Sequence, residues 1–162
     1  MAAVSTSTGV RQATTTDDIA RARALFVEYA QWLKVDLCFQ GFDDELKTLP
    51  GAYAAPRGTL LLAGAGEDAF ACIALRPLDN AGLAEVKRLY VQPARRGEGW
   101  GYRLAENVIA EARAIGYREL RLDTLDWMAP ARALYASLGF RERAAYYDNP
   151  LAGVVYMSLE LK

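Results

Sequence analysis

Residues 83–115 run without a break from an apolar stretch through an Arg/Gly-rich loop into an amphipathic pattern, and few folds accept that order. Leu83 to Val91 reads as a central strand. Gln92 to Gly99 is a Pro/Gly/Arg-rich loop. Tyr102 to Ile115 puts Leu104, Val108, Ala112 and Ile115 on one helical face, and Gly116 is a natural residue to close that helix. N–H groups at a helix start have no internal partner and point out of its end, where the dipole favours an anion. Glycines at 97, 99 and 101 permit positive φ and close approach, and Arg95 and Arg96 add charged donors. The pattern points to a phosphate, as a pyrophosphate; a glycine-rich tight turn with two solvated arginines is the bland alternative.

Two familiar phosphate loops fit poorly. No Lys-Ser/Thr follows the glycines, which excludes a Walker loop. Gly97-x-Gly99-x-Gly101 lacks the dinucleotide spacing, and no acidic residue ends a second parallel strand at the right distance.

The rest of the chain supplies the frame. Val10–Ala13 reads as a short strand, and Thr16 as the N-cap of an amphipathic helix through Leu33. Residues 36–58 are irregular, with a short helix near Asp44–Leu49. Thr59–Ala63 and Ala69–Leu75 form an antiparallel pair around a turn, and Glu119–Thr124 is a strand. Pro130–Leu138 is a helix closed by Gly139; Arg141–Ala145 and Val154–Glu160 are the last strands. The expectation is a single α+β domain over 10–162, with a mainly antiparallel central sheet flanked by helices and a frayed end over 1–9.

Absences narrow the chemistry. The 162-residue chain has no histidine, which removes histidine-based nucleophile schemes and histidine metal sites. Its cysteines, Cys38 and Cys72, are expected as reduced thiols, with Cys38 the better candidate for reactivity. The net charge of −1 offers no field for nucleic acid or anionic membrane. No apolar run is long enough to cross a membrane, and the N-terminus lacks a signal-peptide core, so a cytoplasmic location is expected.

Arg96-x-x-Gly99-x-Gly101, after a strand ending Leu89-Tyr90-Val91, resembles the acyl-CoA signature of the GNAT acyltransferase superfamily. Ala131-Arg132-Ala133-Leu134-Tyr135-Ala136-Ser137-Leu138-Gly139-Phe140 resembles the superfamily's next motif, at the expected separation. The resemblance implies an N-acetyltransferase that carries acetyl from acetyl-CoA to the primary amine of a small or amino-acid-like molecule, by direct attack in a ternary complex. It implies no metal, nucleic acid or membrane partner, and a monomer or homodimer. The strand segment Leu89, Tyr90 and Val91 would pair with the pantetheine arm through the main chain of Leu89 and Val91. The amides of Arg96, Gly97, Glu98, Gly99, Trp100, Gly101 and Tyr102 would hold the pyrophosphate. Tyr135 would lie near the thioester sulfur as general acid. Trp127 and Met128 would line the cofactor channel and Arg132 would reach the adenosine 3′-phosphate. Met128 stands where many members carry Asn, which removes one side-chain contact to the pantetheine.

Acetyl transfer to an amine also needs a proton acceptor and support for the carbonyl oxygen. The oxygen would meet a main-chain N–H of Leu89 to Val91. Glu85, by alternation on the same face as Lys87, Leu89 and Val91, is the candidate base; the alternative is a half-exposed Glu paired with Lys87 or Arg88. Arg76 and Arg88 could meet an acceptor carboxylate, and Tyr146-Tyr147-Asp148-Asn149-Pro150 would close the acceptor side. A non-catalytic acyl-CoA-binding module is the competing reading, favoured if Glu85 is locked in an ion pair; a protein or peptide acetyltransferase is the third.

Overall fold

The computed structural model describes residues 9–37, 41–78 and 82–161. Cys38 and the first eight residues of the expected frayed end lie outside them. The order is β1 (Val10–Gln12), α1 (Thr16–Leu33), α2 (Phe42–Thr48), β2 (Thr59–Ala63), β3 (Ala71–Pro77), β4 (Leu83–Val91), α3 (Trp100–Ile115), β5 (Glu119–Leu125), α4 (Ala129–Ser137), β6 (Arg141–Arg143) and β7 (Val154–Glu160). The strands form one sheet in the order β1-β2-β3-β4-β5-β7-β6. Every pairing is antiparallel except β4 with β5.

Local chemistry accounts for the helix ends. The cap of α1 is Thr15, one residue before the expected Thr16, and its side chain accepts the Asp18 amide at 3.1 Å. Asp18 in turn takes the Arg11 guanidinium at 2.6 Å, which ties α1 to β1. Gly9 packs on the loop side of the fold: a Cβ there would come within 2.8 Å of the Trp100 ring. Helix α3 starts at Gly99 with no side-chain cap and ends on Gly116 at φ 109°.

Each face of the sheet carries its own core. Leu104, Val108 and Ala112 of α3 and Tyr135 of α4 bury one face with Ile73, Leu75, Val86 and Leu122. Ala22, Leu25 and Phe26 of α1 and Phe42 of α2 bury the other with Leu60, Leu62, Cys72 and Ala74. Cys72 is fully buried; burial pushes its thiol pKa far up, and the thiol donates to the Arg88 carbonyl at 3.3 Å.

Two irregularities in β4 build the site. First, β4 and β5 pair only over Leu83–Glu85 against Glu119–Arg121, although both strands continue beyond. The strands therefore part, and their later edges are left open. Second, Cys72 pairs with Tyr90 but Ala74 pairs with Lys87, so β4 spends Arg88 and Leu89 where β3 spends Ile73. This is a β-bulge, with Arg88 in the left-handed region at φ 61°. It resets the alternation. Glu85 and Lys87 share a face with Tyr90, against α1 and α2, while Leu89 and Val91 face α3. The expectation that Glu85 shares a face with Leu89 and Val91 is thus corrected by one extra residue in the strand.

Candidate active site

The loop after β4 makes a 3-10 turn at Pro93–Arg95, then Gly97 at φ 82° and Gly99 at φ 86° lead into α3. The Arg96 amide, expected among the anion donors, is used within this turn and bonds the Pro93 carbonyl at 3.3 Å. From Gly97 to Tyr102 no main-chain N–H makes a hydrogen bond among the described residues; the first helical bond is Arg103 to Gly99 at 3.1 Å. A Cβ placed on Gly97 or Gly99 would meet nothing within 4 Å, so space lies over these amides. Gly101 has a different reason: its missing Cβ lets α3 approach Leu134 of α4, 3.1 Å from where the atom would be.

Side chains hold the loop in shape. Glu98 accepts from Arg95 at 2.9 Å and from the Trp100 indole at 3.0 Å. The Arg96 guanidinium donates to the Val91 carbonyl at 2.9 Å and lies over Trp32 at 4.8 Å. The Gln92 amide bonds the Phe70 carbonyl on the β3 side, so the polar groups of Val91 and Leu89 point the other way, into the parting of β4 and β5.

A cavity of about 380 Å³ occupies this region, lined by the strand end Leu89–Val91, the loop glycines, Trp100 and Tyr102, with Trp127, Met128 and Ala131 opposite. Trp127 and Tyr102, at 53% and 41% exposure, are the large exposed hydrophobics of the described chain, and both line it. Arg132 does not. It bonds the Asp126 carbonyl and pairs with Glu142 at 3.0 Å on the outer side of α4.

A smaller cavity of about 60 Å³ adjoins the first, sharing Leu89, Met128 and Ala131. Tyr29, Lys87, Arg88, Asp123, Thr124 and Tyr135 supply its polar groups. Tyr135 is buried, edge-on to Phe140 at 5.4 Å, and its hydroxyl makes no hydrogen bond among the described residues. Burial pushes its pKa far up, so the proton stays on. The Met128 sulfur lies 3.6 Å from the Thr124 hydroxyl.

Glu85 lines neither cavity. It is 1% exposed and gripped from both sides: Arg76 reaches Oε1 at 2.7 Å and the Tyr146 hydroxyl donates to Oε2 at 2.6 Å. Burial alone would raise its pKa, but Lys87, Arg76 and Tyr146 outweigh it and hold the carboxyl below the usual range. The expected Lys87 partner thus acts on Glu85 electrostatically, while its direct partners are Arg76 and Tyr146 and not Arg88. Arg88 is instead bidentate to Glu45 of α2, both bonds at 2.9 Å, with Phe42 under its guanidinium. Arg76 and Arg88, expected as acceptor-carboxylate contacts, are both engaged internally. The segment Tyr146–Pro150 does cover this side: Tyr147 and Asn149 donate to Asp123 Oδ2 at 2.9 and 3.3 Å. Sequence reading missed Asp123, Lys87 and Trp32. Asp123 carried a signal, a lone carboxylate in the apolar strand Leu120–Leu125.

The model of the acetyltransferase (GNAT) family matches residues 21–140. An uncharacterized N-acetyltransferase from Schizosaccharomyces pombe is 41% identical over 145 residues, 89% of either chain. The chain belongs to the GNAT acetyltransferase family. An IAA acetyltransferase of Azospirillum brasilense is 37% identical over 111 residues, 67% of this chain and 70% of that one. Among solved structures, one from Klebsiella pneumoniae assigned to the acyl-CoA N-acyltransferases aligns with TM-score 0.73 and 28% identity, over 94% of this chain and 97% of that one. A GNAT acetyltransferase from Elizabethkingia anophelis with acetyl-CoA bound aligns with TM-score 0.55 and 25% identity, over 64% of this chain and 76% of that one. As a GNAT acyl-CoA N-acyltransferase, this chain is an enzyme. Among the described residues no helix is long and apolar enough to cross a membrane.

Proposed function

We propose that this enzyme moves an acetyl group from acetyl-CoA to the primary amine of a small molecule, by direct attack in a ternary complex, in the cytoplasm, as a monomer or homodimer. The observation that carries this reading is the row of unpaired amides from Gly97 to Tyr102 at the edge of a cleft that continues, past Leu89 and Met128, to the Tyr135 hydroxyl. The amides and Arg95 take the pyrophosphate. The main chain of Leu89 and Val91 aligns the pantetheine arm, and an N–H of this segment supports the carbonyl oxygen as charge develops. Trp127, Met128 and Tyr102 cover the apolar length of the arm. Tyr135 holds a proton for the departing sulfur. Arg132 reaches the cofactor only by leaving Glu142, and we give it no role.

The small volume of the inner cavity supports a small acceptor. The competing reading, a binding module without turnover, draws on the double grip on Glu85. One experiment separates them: thiol release from acetyl-CoA with butylamine, phenethylamine, glycine, lysine or a lysine-bearing peptide. Release that depends on a small amine is expected. Tight acetyl-CoA binding with no release for any acceptor, or release with the peptide alone, refutes the proposal.

A further inference from the structure

If the proposed reaction occurs in this cleft, something must take the proton of an incoming ammonium, and the candidates on the acceptor face are the buried Glu85 and the half-buried Asp123. They differ in what is left of their bonding capacity. Glu85 has both oxygens occupied, by Arg76 and by Tyr146, and lines neither cavity. Asp123 lines the inner cavity together with Lys87 and Tyr135. Its Oδ2 takes the Tyr147 and Asn149 donors. Its Oδ1 accepts no hydrogen bond from the described residues, and Lys87 Nζ stands off at 3.7 Å, beyond hydrogen-bond length.

The fold explains why Asp123 is available. Glu85 lies opposite Arg121 in the last paired step of β4 and β5. Asp123 is two residues further along β5, on the same face, where β4 has already moved away. The gap between the strands is where the inner cavity lies. Its lining also includes the apolar side chains of Leu33, Leu37 and Leu151. About 60 Å³ takes the head of a slender amine and excludes a branched one.

We propose that Asp123, and not Glu85, is the catalytic base, and that Oδ1 receives the ammonium of a primary amine on an unbranched apolar stem. This rests on the acetyltransferase reading above. Asp123 takes one proton from the ammonium. The freed nitrogen pair forms the C–N bond to the acetyl carbon and the C–S bond breaks. The sulfur gains a proton from Tyr135, which recovers one from the nitrogen, and Asp123 releases its own to solvent. Products are the amide, the thiol and one proton. Glu85 is then a positioning residue, which fixes Tyr146 and Arg76 beside the site.

The groups that face Asp123 are Lys87 of β4, Tyr29 of α1, Tyr135 of α4, Tyr156 of β7 and, from the loop before β7, Tyr146, Tyr147 and Asn149; Glu85 lies beyond Lys87. The tyrosines keep their protons across the neutral range: burial pushes Tyr29 up to about 12. An acidic limb in the rate profile therefore reports a carboxyl.

The test measures kcat/KM against pH, with whichever of the five acceptors turns over fastest, for wild type, Asp123→Asn, Glu85→Gln and Tyr147→Phe. Asp123→Asn is expected to lose ~10²-fold in kcat/KM, keep its acetyl-CoA affinity and lose the acidic limb. Glu85→Gln is expected to keep that limb. Tyr147→Phe removes an O–H that holds Asp123 in place, so kcat/KM falls while acetyl-CoA affinity is kept. An acidic limb retained in Asp123→Asn, or an unchanged kcat/KM in Tyr147→Phe, overturns the assignment; if Asp123→Asn does not fold, Tyr147→Phe decides. Butylamine and phenethylamine are expected to exceed glycine, and the reverse order overturns the apolar stem. Absence of any wild-type turnover refutes the acetyltransferase reading itself, and this assignment with it.

Discussion

Replacing Gly99 with alanine isolates the backbone contribution to the phosphate loop. Gly99 has φ 86° and ψ 11°, and an added Cβ would meet nothing within 4 Å. Packing therefore costs nothing, and the whole effect is the strain of a non-glycine residue in the left-handed region, about 1–2 kcal/mol. That strain has two destinations. If the loop keeps its shape, folding stability falls by the full amount, which for a chain of this length is ~2–8 °C in thermal midpoint. If the exposed loop relaxes, the amides of Gly97–Tyr102 lose alignment and acetyl-CoA affinity falls ~5–30-fold instead. Calorimetric titration and thermal unfolding of the same sample measure both, and the two losses should sum to about 1–2 kcal/mol. Gly99→Val, with a β-branched side chain, should exceed this and weaken binding at least ~10-fold. A Gly99→Ala variant with unchanged midpoint and unchanged affinity would refute the argument that the loop's shape depends on this backbone angle.

Tyr135→Phe keeps the ring edge against Phe140 and removes only the hydroxyl; turnover should fall ~10²-fold with acetyl-CoA affinity intact, read by thiol release and titration. Glu45→Gln leaves the buried Arg88 guanidinium without its bidentate carboxylate and should cost about 3–5 kcal/mol in urea unfolding. Glu85 has its pKa held below the ordinary value by Lys87, Arg76 and Tyr146 against the push of burial. Its contribution to stability is therefore present above the unfolded carboxylate pKa of ~4.3 and lost as pH falls through the lower folded value. Glu85→Gln should flatten that acid decline in thermal midpoint, and an unchanged decline would show that other carboxylates cause it.

The elements were legible wherever a local period decided them. Strands Thr59–Ala63, Leu83–Val91 and Val154–Glu160 have the bounds their apolar patterns give, and α3 ends on Gly116 as expected. The glycine-rich turn into α3 was legible too, because glycine spacing and a helix start are both local properties. What failed was phase. A bulge is one residue opposing two, and the strand Leu83–Val91 carries no Gly or Pro to announce it. Arg88 sits at the left-handed angle with its guanidinium clamped by Glu45 on α2, a contact between residues far apart in the chain. Every face assignment beyond Arg88 was therefore inverted.

Under the proposed assignment, the same two irregularities move the base from β4 to β5. A regular β4 would place Glu85, Lys87, Leu89 and Val91 in one row, with the base and the carbonyl site on a common face. The bulge separates them: main-chain groups of Leu89 and Val91 turn toward the parting of the strands, while Glu85 and Lys87 turn toward α1 and α2. In the proposed reaction, a carboxylate that serves the carbonyl site would then lie beyond the last paired step, on the facing strand. Position 123 meets both conditions, being two residues past Arg121 and opposite Lys87 across the gap. The parting that opens the cleft is thus also what keeps one oxygen of Asp123 without a strand neighbour. A substitution that restored β4–β5 pairing past Glu85 would close the cavity and bring Lys87 within hydrogen-bond reach of that oxygen.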